Sequence, residues 1–461
     1  MNNRPVAIRL ADLIVLSGVA VIAGLGVSWI GQAEVIWLEF ILLIMVLLIP
    51  FAVVMVRHRL EFFELAHFFV LSLGIFYVAP LVYSLLFDGS SIESNAFSEA
   101  IGYLIMGSLC FYVAYYSRFG RAIAMAFPRF EQYRFIRVRF RMVLLGFLLI
   151  ALVSFLIVVA RSGGPLFYVT HLGERVIFWE KLGYLWWGVL LVIPSLWSYY
   201  AYLLDTRGKA HFGFWILVCF SVVFLVSLGS RWNIISLSLG LLIIRHYAVR
   251  RVKLGQLIGL GVILLVFSFF FQFYRNYISI EYYMQIREQG DLLSRFVFGS
   301  LSGFDSLVLI IEGIPQVLDF QWGRSILDLI WYPIPRLLWA DKPEITAMLF
   351  CKAFFPEATE RGVIRGIPYM GELYLNFGPA GIVIGMLALG LFCRVFYAYM
   401  KLNRFGLISI LIYVCTIEPL MRSMRGGVFA LVSHFFMNLI PVAIILIVST
   451  REWRYVNQPR T

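Results

Sequence analysis

Apolar runs of about 20 residues, parted by short polar connections, recur along almost the whole chain. Each run is long enough to cross a ~30 Å hydrocarbon core as an α-helix. Windows of about 19 residues predict about twelve helices. These start near Leu10, Val35, Phe62, Glu99, Met142, Tyr184, Phe212, Asn233, Leu257, Pro379, Gly406 and Val428. The weak alternating segments of a transmembrane barrel are not the pattern here. The expected fold is an all-α polytopic membrane protein in one integral domain. Residues 1–274 hold helices one to nine, 275–378 form a large loop, and 379–461 hold helices ten to twelve and a tail. Around Ser230 the pattern reads either as two short spans or as one broken helix.

The large loop is rich in aromatics and lacks Gly/Ser repeats, so it is not a linker. Its short apolar-periodic pieces, LSGFDSLVLIIE (301–312), RSILDLIW (324–331) and ITAMLFCKAFF (345–355), predict short amphipathic helices on the membrane, covering a cavity. Between them lies WYPIPRLLWADKPE (331–344), where prolines fix the backbone and tryptophans suit the interfacial layer.

Composition agrees: 61% of the 461 residues are hydrophobic and 14% are charged, against roughly 25% charged in a soluble domain. The net charge of +12 does not point to nucleic acid, because the cations gather in short connections. With the N-terminus cytoplasmic, residues 118–141 carry Arg118, Arg121, Arg129, Arg134, Arg137, Arg139 and Arg141 against Glu131. Arg57/Arg59, Arg207/Lys209, Arg250/Arg251/Lys253, Lys401/Arg404 and the tail fall on the same side, so both termini are expected in the cytoplasm. The loop 275–378 falls opposite, with nine Lys/Arg against twelve Asp/Glu. That asymmetry follows the positive-inside rule. MNNRPVAIRL runs into an apolar stretch with no small-residue cleavage site and reads as a retained first helix. Cys110, Cys219, Cys393 and Cys415 lie in apolar spans and Cys351 stands apart, which fits neither a disulfide framework nor a zinc site.

Charges inside or beside the membrane need a reason, since each costs several kcal/mol or more at mid-bilayer. Arg231 sits in GSRWN among small residues; it is either an interfacial anchor or a ligand group. In EPLMRSMRGG, Arg422 and Arg425 share a helical face, and Glu418 stands one turn before Arg422 as an ion-pair partner. Arg336 and Lys342, with Arg365 of RGIPYMGELYLNFG, complete a cationic set on the outer side. Guanidinium groups bind phosphate oxygens in a fork, so a diphosphate is the natural guest. Glu372, His434 and Asp305 are the acid–base candidates, with Glu372 first. Asp305 reads equally as a helix cap, and a buried His434 as helix–helix glue. Glu64 and His67 form one Glu-x-x-His, too little for a di-metal site, and read as an interfacial pair. Walker A, GxSxG, HExxH and Asp-rich metal motifs do not occur.

Across roughly residues 140–440 the chain resembles the O-antigen polymerases, the Wzy-type oligosaccharide repeat-unit polymerases. The stretches that carry the resemblance are GSRWNIISLSLGLLI (229–243), FDSL (304–307), IPRLLWADKPE (334–344), GELYLNFGPAGIVIG (371–385) and RGG (425–427). The resemblance implies a GT-C-like membrane glycosyltransferase of the bacterial inner membrane, working on the periplasmic side with an inverting mechanism. The donor would be a growing glycan on undecaprenyl diphosphate, and the acceptor a single repeat unit on the same lipid. No metal, nucleotide or other cofactor is implied. Membrane lipids and a chain-length regulator would be its partners. By position, Arg231 and Arg425 would bind the diphosphate, supported by Arg336, Arg365, Arg422 and Lys342, with Glu372, His434 or Asp305 as base. An O-antigen ligase shares this architecture and donor. A flippase or transporter for lipid-linked sugars would instead place its charges along a midplane path.

Overall fold

The computed structural model describes residues 32–57, 61–87, 94–128, 133–171, 178–179, 182–277, 301–332, 334, 338–339, 341–360 and 365–451. The helix expected near Leu10 lies outside them. The first helices are α1 (Gln32–Leu47), α2 (Ile49–Arg57), α3 (Leu65–Leu73), α4 (Ala79–Phe87), α5 (Asn95–Tyr116) and α6 (Phe119–Ala126). Then come α7 (Arg137–Arg161), α8 (Pro165–Thr170), α9 (Gly183–Leu190), α10 (Val192–Arg207), α11 (Phe212–Ser227), α12 (Arg231–Ala248) and α13 (Leu254–Tyr277). The large loop contributes α14 (Gly303–Gly313), α15 (Arg324–Trp331), α16 (Thr346–Phe354) and α17 (Pro356–Glu360), and α18 (Tyr369–Leu402) and α19 (Leu407–Ser449) close the chain. Two short strands, β1 (Arg134–Phe135) and β2 (Thr450–Arg451), pair antiparallel.

Among the described residues, eight helical stretches are long and apolar enough to cross a membrane: Val35–Val56, Leu65–Phe87, Asn95–Tyr116, Arg137–Arg161, Gly183–Arg207, Leu254–Phe271, Tyr369–Leu402 and Leu407–Ser449. The fold is consistent with an all-α membrane protein. The difference from the expected twelve has physical causes. α11 is shorter, and α12 is diluted by Asn233, Ser236, Ser238 and Gly240. The helices expected from Gly406 and Val428 are one element, broken at Gly427. Around Ser230 the chain forms two helices, not one: α11 ends at Ser227, Gly229 turns the chain with φ of 68°, and α12 starts at Arg231.

The core centres on α5, α18 and α19. Glycines let backbones approach: a Cβ at Gly390 would run into the Phe111 carbonyl, and one at Gly240 into the Trp197 indole. Phe69 and Phe111 stack at 3.8 Å between centroids. A single π-turn, Gly74–Val78, precedes Pro80, which has no amide to continue the ladder. The carbonyl of Phe76 in that turn packs where a Cβ on Gly303 would stand, 2.5 Å away.

The basic connections meet at one end of the molecule. Lys401 Nζ lies 3.4 Å from Glu61. Tyr247 stacks on Phe405, Tyr399 donates to the Pro128 carbonyl, and Arg134 pairs with Arg451. Helix α5 spans to the other end. Its cap, Ser94, donates to Glu312 of α14, while Tyr115 near its far end donates to Glu64 at 2.9 Å. The expected Glu64–His67 pair is not formed. Glu64 faces Tyr115 and Tyr397, and His67 Nδ1 meets the Glu61 carbonyl at 2.9 Å.

Candidate functional site

The sequence YMGELYLNFGPAG folds as a short helical piece, a break and a long helix, because Phe377 and Gly378 leave the helical region. Gly378 has φ of 60°, which glycine adopts without strain, and Pro379 starts the long piece with its fixed φ. Within RSMRGGV, Gly427 breaks α19 with φ of 73° and ψ of −168°. A side chain at Gly427 would also fall inside the Glu372 carboxylate and 3.0 Å from the Ile367 carbonyl. Two broken helices thus face each other, as the discontinuous helices that build substrate sites in secondary transporters do.

Glu372 closes the second break. It is 2% exposed, and its Oε2 accepts from the Val428 amide at 2.8 Å. Ser325 of α15 lies beside the same carboxyl. Asn376 ties these pieces together. Its Nδ2 donates to Ser325 Oγ and to the Glu372 carbonyl, each at 2.7 Å, while its Oδ1 accepts from the Gly323 amide at 2.9 Å. The amides of Gln321 and Trp322 donate to the carbonyls of Leu375 and Asn376. Asp328, one turn after Ser325, is buried and accepts from the Thr346 amide and from Trp331 Nε1. Helix α15 is therefore amphipathic in the inverted sense. Ser325 and Asp328 point inward, while Ile326, Leu327 and Ile330 are 45, 47 and 70% exposed. A soluble helix hides its apolar stripe; this one turns it outward, as a helix does against lipid.

Arg422 Nε donates to Glu418, as the spacing predicts, and its guanidinium lies 5.4 Å from the Trp232 ring. His434 lies within electrostatic reach of Arg422. Its Nδ1 is 3.1 Å from the Ala430 carbonyl, which can only accept, so the neutral ring carries its proton there and keeps a lone pair on Nε2. Arg425 stands two residues before the break, and its carbonyl is 2.7 Å from where a Cβ on Gly366 would stand. Arg231 Nη1 donates to the Ser268 carbonyl of α13 at 2.9 Å. Arg231 thus leans toward α13, while its neighbour Trp232 packs against Arg422.

The remaining candidates lie further along the loop. Lys342 Nζ donates to the carbonyls of Tyr332 and Ile334 at 2.7 and 3.0 Å, stapling the proline-rich segment. Arg365 lies over the Phe355 ring at 4.2 Å, and its backbone amide and carbonyl meet Cys351 Sγ, each at 3.2 Å. Burial pushes the Cys351 thiol up, partly offset by Arg365. Asp305 occupies the first turn of α14, where a negative charge suits the helix dipole, but the cap position belongs to Ser302. Arg336 lies outside the described residues. Among the described residues no three His, Cys, Asp or Glu side chains come together as a metal site. Ser325, Asp328, Asn376 and Trp232 were not expected from the sequence. The i, i+3 spacing of Ser325 and Asp328 on an otherwise apolar piece is the signal that finds the first two.

No protein-family model matches the chain, and no solved structure does. Part of the chain is similar to O-antigen polymerases. Over 85 residues it is 36% identical to the O-antigen polymerase of Salmonella typhimurium (strain LT2) and, to the same degree, to that of Salmonella typhi. The matched stretch covers 17% of this chain and 20% of each relative, so the chain spans about a fifth of the length of the curated relatives it matches.

Proposed function

We propose that this chain is a polysaccharide polymerase of the O-antigen type, facing the periplasm from the inner membrane. It would transfer a growing glycan from undecaprenyl diphosphate to the non-reducing end of a repeat unit on the same lipid. The observation that carries this reading is the 85-residue likeness to O-antigen polymerases. The broken helices and the arginines beside them support the chemistry.

In the proposed reaction, the acceptor oxygen forms a bond to the anomeric carbon of the donor glycan. The bond from that carbon to the diphosphate oxygen breaks, and undecaprenyl diphosphate leaves with the electron pair. The acceptor hydroxyl proton passes to His434 Nε2. Fixed cations stabilise the charge that grows on the leaving group, and this is worth most where water is excluded. Arg425 and Arg231 take this role. Arg422, already neutralised by Glu418, contributes less charge, and the Ala430 carbonyl orients His434. Arg365 and Lys342 form the outer rim, Arg336 is assigned to the same role from the sequence alone, and Asp305 lies in the first turn of a rim helix. One base is enough for an inverting transfer, and the arginines do for the diphosphate what a metal would otherwise do.

Arg425→Ala should insert normally and yield single-repeat products without polymer, read as the ladder of glycan lengths in cells supplied with the repeat-unit lipid. Full-length polymer from that variant would remove Arg425 from the mechanism.

A further inference from the structure

The Glu372–Val428 contact ties two broken helices at the point where the arginines sit. A carboxylate oxygen 2.8 Å from the Val428 amide is an N-cap supplied by another helix. It satisfies an orphan donor at the start of the half-helix 428–449 and places negative charge at its positive end. The fit is built on both sides. Gly427 has the positive φ and the missing Cβ that let the carboxylate in, and Gly366 lets the 365–368 segment lie against the Arg425 carbonyl. Asn376 holds the Glu372 backbone against Ser325.

We propose that Glu372 is a positioning residue. It fixes the Arg425–Gly427 turn so that Arg425 meets the lipid diphosphate, and it does not take the acceptor proton. This rests on the polymerase reading above. Three observations separate the role from that of a base. One carboxylate oxygen is committed to a backbone amide. The side chain is 2% exposed, so an acceptor hydroxyl has little access to it. Its neighbours Ser325 and Asn376 belong to the clamp that joins α15 to α18.

The test compares Glu372→Gln with Glu372→Asp in vesicles supplied with an undecaprenyl-diphosphate-linked repeat unit. Rate, KM, the pH–rate profile and amide hydrogen exchange over 426–430 are measured. Gln keeps an acceptor oxygen at full reach and has no ionisable group; Asp keeps the ionisable group and loses the reach. The expected result is that Gln retains most of the rate with an unchanged pH profile. Asp should raise KM for the lipid about tenfold, the equivalent of one lost capping contact, and speed exchange at Val428. The proposal is overturned if Gln abolishes turnover at unchanged KM while Asp retains it, because that is the behaviour of a base. If Asp does not insert, the isosteric Gln variant decides together with exchange: turnover abolished at unchanged KM, with protection at Val428 kept, overturns the proposal. If the wild type itself joins no repeat units, the polymerase reading fails separately. Exchange then still judges the cap: protection at Val428 kept in Gln and lost in Asp supports it, and equal protection in all three overturns it.

Discussion

Replacing Gly427 with alanine strikes the break in α19 at its tightest point. The φ of 73° with ψ of −168° is a region that only glycine visits freely, and forcing a side chain into it costs about 1–3 kcal/mol. The new Cβ would also occupy the position of the Glu372 carboxylate. Expelling that group forfeits a cap worth about 0.5–2 kcal/mol and leaves a buried amide unpaired at a further ~1–3 kcal/mol. Together these come to about 2.5–8 kcal/mol, concentrated on the turn that carries Arg425. Two readouts follow: the thermal midpoint of the purified protein in detergent, and polymer length in cells. Gly102→Ala is the control, because a Cβ at Gly102 in α5 meets nothing within 4 Å, and Ala is favoured over Gly inside a helix by about 0.5–1 kcal/mol. Gly427→Ala should lower the midpoint and abolish polymer, while Gly102→Ala should do neither. A Gly427→Ala protein with the wild-type midpoint and full polymer would refute the account of this break.

Two further outcomes test neighbouring parts. Lys342→Met removes the staple across the Tyr332 and Ile334 carbonyls, so limited proteolysis within 331–344 should quicken and polymer yield should fall a few-fold, each charge-assisted bond being worth roughly 1.5–3 kcal/mol when shielded; unchanged cleavage would show that the prolines alone hold the segment. Asn233 is fully buried in the GSRWN stretch, with neither amide atom hydrogen-bonded among the described residues. Asn233→Leu should therefore hold or raise the thermal midpoint, since an unmade hydrogen bond costs about 1–3 kcal/mol, and a fall in the midpoint would contradict that reading.

Much of the helical framework was legible because lipid imposes a simple rule of length and apolarity. Predicted starts at Tyr184, Phe212, Asn233 and Leu257 fall within three residues of the starts of α9, α11, α12 and α13. Those at Pro379, Gly406 and Val428 fall on backbone breaks or a helix start, because Gly and Pro punctuate a helix wherever it stands. The Glu418–Arg422 pair was legible for the same local reason, an i, i+4 spacing. What pattern could not give was which side chains meet across helices. Glu372 meets the Val428 amide only because Gly427 leaves the space for it, and Glu372 and Val428 lie 56 residues apart in sequence. RSILDLIW was read as a short amphipathic helix on the membrane, but the roles of Ser325 and Asp328 were not legible, because their partners Asn376 and Thr346 come from other elements. Glu64 was misassigned because its partners, Tyr115 and Tyr397, come from distant helices, whereas His67 was merely close in sequence.

The claim at the centre is that this chain joins lipid-linked repeat units to one another. Purified protein in vesicles, given only an undecaprenyl-diphosphate-linked repeat unit, tests it most directly. The account predicts a ladder of glycans rising by one repeat at a time, with one undecaprenyl diphosphate released per step. A repeat unit that stays single, or that moves across the membrane or onto another acceptor without elongation, would contradict it.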